Sequence, residues 1–246
     1  MSYLLVFAVI QVLILLHEAG HFWAARAVGI RIARFSVGVG PRLWGFRRGG
    51  TEYVLAAVPL GGYVLPDLVD ADDYYRIPLR RRIVFALGGP LANLLLAVPL
   101  FGILNVFRDG LSLHGMLVAP FVQTAEFGVR FLASIPQLFR QPDAVSGVIG
   151  IVHQGGDYVR MDPARGLFFA IAMTLNLGIF NLLPLPILDG GKIVLDIVHR
   201  FRPGVVRHAT AISLIGIALL GAILLYATTM DIRRLVAWFS TGPMAS

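Results

Sequence analysis

The sequence predicts an α-helical membrane protein: about four transmembrane helices, a membrane-associated β-hairpin after the first, and an amphipathic helix on the membrane surface. Three observations carry this. Of 246 residues, 57% are hydrophobic and only 14% charged, against about 25% charged in soluble domains. The mean hydropathy is +0.77, more apolar side chain than a soluble fold of this size can hide. The apolar residues also gather into a few long runs, each near the 20 helical residues that cross a bilayer core.

The first run, about 3–25, has no basic n-region and no small-residue cleavage site, so it reads as a retained helix and not a signal peptide. After it come "RFSVGVGPRLWGF" (34–46) and "TEYVLAAVPLGGYV" (51–64), β-like runs broken by Gly and Pro, with "RRGG" (47–50) turning between them. Open strand edges are not tolerated against lipid, so this hairpin (34–64) should pack on protein or line a wet cavity. The second and third spans are about 83–107 and 166–188. Between them, 117–140 mixes Phe121, Phe127 and Phe131 with Glu126, Arg130 and two prolines, which predicts a surface amphipathic helix. A fourth span covers about 209–229. No repeat or linker appears, so 1–246 is read as a single domain.

The net charge is +7, and 20 of the 21 basic residues are Arg. No basic stripe interleaves with exposed aromatics, so nucleic acid is not expected as a partner. Topogenic arginine explains the charge: residues 26–82 hold ten Arg, and 190–208 hold Lys192, Arg200, Arg202 and Arg207. The longer 108–164 holds only Arg108, Arg130, Arg140 and Arg160. The positive-inside rule places loops 26–82 and 190–208 in the cytoplasm and the N-terminus outside, with Arg233 and Arg234 in mild disagreement. With no Cys, disulfides, thiolate metal sites and a Cys nucleophile are excluded.

Inside the first span, "LILLHEAGHFWAA" (13–25) places His17, Glu18 and His21 in apolar sequence. At 100° per residue the two imidazoles share one helix face, one turn apart. Two neutral imidazoles at i, i+4 can hold one zinc ion, and the intervening Glu is placed as a general base. Ionisable residues within a span are expensive and functional by default. A catalytic zinc site expects a third protein ligand. His114, His153, His199 and His208 lie in loops or at helix ends without a partner motif. Asp189 is the better candidate: Pro184 and Pro186 break the helix before it, leaving it on irregular backbone. Its alternative reading is a turn residue before Gly190 and Gly191.

The pair of motifs resembles the site-2 protease family of intramembrane zinc metalloproteases (peptidase family M50). That family joins HExxH in a first core helix to NxxPxxxxDG in a later one, and here the second reads Asn181, Pro184, Asp189 and Gly190. "FSVGVGP" (35–41), "GTEYVLAAVPLGGYV" (50–64), "GGPLAN" (88–93) and "SGVIGI" (146–151) resemble the regulator-of-sigma-E branch. The resemblance implies one Zn²⁺ per chain held by His17, His21 and Asp189, with Glu18 as catalytic base. It implies single-span membrane proteins as substrates, of the anti-sigma-factor or signal-peptide-remnant type, in a bacterial inner membrane. Asn181 and Asn93 are candidates for holding the oxyanion or the substrate backbone; hydrogen bonding between helices is their other reading. Gly38 and Gly40, the GxG of the hairpin, mark where an unwound substrate could add as a strand. The interval 108–164 has no room for the PDZ domains of most members of that branch, and no CBS-type domain is expected. Two other functions share these residues: a transporter or metal carrier, and a catalytically silent scaffold of the same fold.

Overall fold

The computed structural model describes residues 2–140, 146–160, 162–202, 204 and 206–241. Helix α1 (Ser2–Ala27) carries the first apolar run. It leads into strand β1 (Ile32–Arg48) and strand β2 (Thr51–Pro66), which pair antiparallel. Gly49 and Gly50, at φ +59° and +85°, form the two-residue turn between Arg48 and Thr51. Both central residues need positive φ in such a hairpin turn, which is why two glycines stand there. Gly38 and Gly40 also have positive φ, and the register shifts around them, as at a bulge. The resulting curl lets Arg34–Val37 run between Gly62–Leu65 on one side and Glu52–Leu55 on the other.

The hairpin packs on protein, as expected. Ile30, Ile32 and Phe35 bury against Phe22 and Ala25 of α1. Phe22 meets Phe35 edge-on, with ring centroids 5.6 Å apart. A short helix α2 (Ala71–Arg76) follows, closed at its start by a capping box between Asp70 and Asp73.

Helix α3 (Leu79–Asp109) is the central element. It crosses α1 where Gly20 faces Gly88: a Cβ on Gly20 would lie 2.3 Å from the Gly88 carbonyl oxygen. Small residues at such crossings let two backbones touch, which lipid-exposed helices use in place of a hydrophobic drive. On its other side α3 packs Ala97, Phe101 and Leu104 against Ile171, Leu175 and Ile179 of α6 (Pro163–Asn181). The expected third span, 166–188, is therefore shorter: the helix stops at Asn181 and residues 182–188 turn irregularly around Pro184 and Pro186. Helices α7 (Asp189–Phe201) and α8 (Val206–Thr241) complete the chain.

Among the described residues, five helices are long and apolar enough to cross a membrane, one more than expected. The addition covers 114–137 and takes in most of α4 (Ala119–Arg140), expected on the membrane surface. Its packing gives the reason. Gln123 exchanges amide hydrogen bonds with Asn105, near the end of α3, at 3.0 and 3.1 Å. Five residues on, Gly128 meets Ile179, while Phe127 and Phe131 pack on the α3–α6 core. Helix α4 thus descends along the bundle and does not lie across its end. Helix α5 (Val148–Val159) packs beside α1, Gly155 against Val6 and Gly156 against Tyr3, whose hydroxyl donates to Asp157 at 2.9 Å. Helix α6 runs antiparallel to α3, with Gly178 against Pro90 and the Thr174 hydroxyl donating to the Asn93 carbonyl at 3.1 Å.

Candidate metal centre

Three elements converge on one point. Helix α1 presents His17 and His21, both buried, one turn apart. The irregular 182–188 segment folds over the start of α7 and delivers Asp189, 4% exposed, as its first residue. Gly190 and Gly191 permit that fold: added Cβ atoms would sit 2.1 Å and 1.8 Å from the carbonyl oxygens of Leu182 and Leu185. Asp189 thus opens α7 directly after the turn, with its carboxylate beside the two imidazoles. A helix N-terminus also favours the carboxylate.

Nε2 of His17 and Nε2 of His21 are 3.2 Å apart, and each is 3.1 Å from Oδ2 of Asp189. Ligands at about 2.0–2.1 Å around a tetrahedral zinc stand about 3.3–3.4 Å from one another. The observed triangle matches that edge closely. Proton positions point the same way. Nδ1 of His21 is 2.8 Å from the Phe85 carbonyl oxygen, which can only accept, so Nδ1 carries the hydrogen. The Gly89 amide also approaches Nδ1, at 3.3 Å, but the shorter contact decides. A neutral His21 then turns a bare lone pair toward a carboxylate oxygen and a second imidazole. Such a cluster has the donors to hold a cation at its centre. Among the described residues, these three are the one group with metal-ligand donors this close together; the side chain of His208 lies outside those described.

The surroundings support the triad. Lys192 donates to Oδ1 of Asp189 at 3.0 Å, leaving Oδ2 for the centre. Burial works against the charge on Asp189, but His17, His21 and Lys192 outweigh it and hold the carboxyl well below the usual range. Asn93, fully buried on α3, lies 3.3 Å from Nδ1 of His17. The facing atom is the amide Nδ2; ligation through Nε2 would put the hydrogen on Nδ1, which the carboxamide would then meet with Oδ1 after a half-turn. As it stands, Oδ1 is buried without a partner among the described residues. Gly89 forms the floor: a Cβ there would lie 2.4 Å from Nε2 of His21 and 2.6 Å from Nε2 of His17.

The triad opens onto a cavity of about 570 Å³, within the usual range for ligand sites. Glu18 lines it and makes no hydrogen bond among the described residues. Asn181 also lines it, although its Nδ2 donates to the Leu177 carbonyl of its own helix at 2.9 Å. Asn93 does not line it. Nor do Gly38 and Gly40; the hairpin reaches the cavity through Gly62, Tyr63, Val64 and Pro66 of β2. On the far wall stand Tyr74 and Tyr75 of α2 and Asp196 of α7. Asp196 pairs with buried Arg82 at 2.5 Å and accepts from Tyr74 at 3.2 Å. Sequence reasoning missed Gly89, Lys192 and the Phe85 carbonyl. Gly89 was visible only as part of "GGPLAN"; a backbone acceptor leaves no signal at all.

The fold and the site define a membrane-helix bundle with two histidines and an aspartate, grouped closely enough to hold a metal ion, beside an internal cavity. The chain belongs to peptidase family M50, whose family profile matches residues 5–223. It is 25% identical to Metalloprotease MmpA of Caulobacter vibrioides, over 92% of this chain and 94% of that protein. It is 43% identical to Protease RseP of Yersinia pestis over 97 residues, 35% of this chain and 22% of that protein. It is 44% identical to a "Putative zinc metalloprotease" of Xylella fastidiosa over 106 residues, 39% of this chain and 24% of that protein. The chain thus spans about a quarter of the length of the latter two relatives. The alignment with MmpA runs over 373 positions, more than the 246 residues here, so that relative carries inserted sequence.

Proposed function

We propose that this protein is a zinc-dependent intramembrane endopeptidase that cleaves membrane-spanning segments of other proteins. The observation that carries the proposal is the His17–His21–Asp189 triangle, beside Glu18, at the head of a cavity between membrane helices. The donor set, two imidazoles and a carboxylate, suits zinc, and the names of the relatives agree with it. When bound, zinc lowers the pKa of water toward 7 and polarises a carbonyl as a Lewis acid.

The chain's own residues supply the rest. The carboxylate of Glu18 accepts the proton of the attacking water and passes it to the leaving amine nitrogen. Asp189 stays ionised, with Lys192 on its second oxygen. Phe85 and Asn93 fix the two imidazoles. Asn181, in the cavity wall, is the residue placed to meet the substrate backbone or the developing oxyanion. A helical substrate hides its carbonyls in its own hydrogen bonds and must unwind first. The Gly62–Pro66 stretch lines the cavity with β1 on one side only, so it is the edge to which an extended segment would add. Gly38 and Gly40 serve by curling β1 so that this edge reaches the site. Single-span proteins of the anti-sigma-factor or signal-peptide-remnant type are the proposed substrates. The inner membrane, with the N-terminus outside and loops 26–82 and 190–208 cytoplasmic, is the proposed setting.

Glu18→Gln tests the reading. It should keep zinc and lose cleavage of a single-span substrate by at least ~100-fold, the lower end for general base catalysis. A metal carrier would be indifferent to it. Cleavage at the wild-type rate would overturn the proposal.

A further inference from the structure

A second groove lies at the C-terminal end of α1 and shares no lining residue with the cavity beside His17 and His21. It encloses about 670 Å³, a size typical of small-molecule sites. Its walls are aromatic: Phe22 and Trp23 from α1, Phe46 and Tyr53 from the strands. Phe46 and Tyr53 stack with centroids 5.0 Å apart, and Trp23 is 66% exposed. One end of the groove holds two guanidinium groups, Arg26 and Arg48. Arg26 reaches to 3.9 Å from where a Cβ on Gly49 would stand, so its charge sits beside the turn that follows Arg48.

Neither guanidinium has a carboxylate partner among the described residues. Glu52 is the sole acid between residues 28 and 66, and it is taken by Arg34 and Arg42 at 2.8 and 2.5 Å. No acid lines the groove. Two like charges at the mouth of an apolar cleft, at the end of a membrane helix, ask for a ligand with an anionic head and an apolar tail. Guanidinium groups match phosphate oxygens bidentately, and Trp and Arg are the residues that sit at the headgroup level.

We propose that this groove binds an anionic phospholipid, its phosphate on Arg26 and Arg48 and its acyl chain along Phe22, Trp23, Phe46 and Tyr53. The proposal stands on this surface alone and does not depend on the peptidase reading. The lipid would lie between α1 and the hairpin, against the same helix that carries His17 and His21. The composition of the bilayer would thereby bear on how the hairpin is held.

The test uses the full chain in bilayers, with Trp44 and Trp238 replaced by Phe so that Trp23 is the one reporter. Quenching by brominated phosphatidylglycerol is compared with quenching by brominated phosphatidylcholine. A basic side chain near the surface is worth roughly fivefold in affinity for anionic lipid. Phosphatidylglycerol should therefore be preferred by roughly ten- to thirtyfold, and Arg26→Gln with Arg48→Gln should bring the ratio near one. Arg80→Gln with Arg81→Gln, outside the groove, should leave the preference in place. Native mass spectrometry of the otherwise unaltered protein gives a second reading: retained phosphatidylglycerol, lost in the Arg26/Arg48 variant. Equal quenching by both lipids would overturn the proposal, as would a preference unchanged in the double variant. So would displacement by millimolar inorganic phosphate, which would mark a soluble-phosphate site instead.

Discussion

Gly89→Ala places one methyl group where the metal should sit. Its Cβ would stand 2.4 Å from Nε2 of His21, 2.6 Å from Nε2 of His17 and 2.8 Å from Cε1 of His17. Ordinary contact begins near 3.4 Å, so both rings must retreat by close to 1 Å. Functional constellations tolerate displacements of about 0.5 Å, and losing one supporting contact of a metal ligand already costs about 10–100-fold in affinity. Here two ligands move together, so zinc affinity should fall by at least ~100-fold. The fold should survive, because Ala is better than Gly inside a helix by about 1 kcal/mol. Chelator competition on purified protein reads the affinity, and circular dichroism reads the helix content. A Gly89→Ala protein that binds zinc within a few-fold of wild type would refute the reasoning, because the ion could not then lie between the two Nε2 atoms.

Four further outcomes follow from the packing. Asn93→Ala should weaken zinc binding by about 10–100-fold in the same competition assay, and Asn93→Asp, which keeps an acceptor for His17, should recover most of it. Arg82→Met leaves Asp196 buried without its counter-charge. Burial already pushes that carboxyl up, against Arg82 and Tyr74, so the variant should lose about 3–5 kcal/mol in a detergent unfolding titration, and adding Asp196→Asn should restore much of it. Gly20→Ala forces α1 off the Gly88 carbonyl and should cost about 1–3 kcal/mol. In contrast, Gly221→Ala on α8, with nothing within 4 Å, should be neutral or stabilising by thermal melting in detergent.

Much of this was legible in the sequence, because the strongest signals are local or paired. The His17–His21 spacing declares its own geometry on any helix. Asp189 needed the prolines before it, and the structure shows those prolines ending α6 at Asn181. The Gly49–Gly50 turn followed from residue type alone. What was hidden depends on contacts distant in sequence. Composition allowed 119–140 to lie on the surface; only the Gln123–Asn105 amide pair and the Gly128–Ile179 contact show it running along the bundle. The GxG of the hairpin drew attention to Gly38 and Gly40, yet the wall of the cavity is Gly62–Pro66, because the curl they introduce brings a different stretch to the site. Asn93 was legible as a polar residue in a span, but its partner, His17, lies 76 positions away.

We propose that His17, His21 and Asp189 hold zinc for a hydrolysis in which Glu18 moves the proton. This is tested most directly by measuring bound zinc and cleavage of a single-span substrate on the same preparations of wild type, Glu18→Gln and Asp189→Ala. Zinc should be present in wild type and Glu18→Gln and lost in Asp189→Ala, and wild type alone should cleave. Wild-type cleavage by Glu18→Gln, or undiminished zinc in Asp189→Ala, would contradict it.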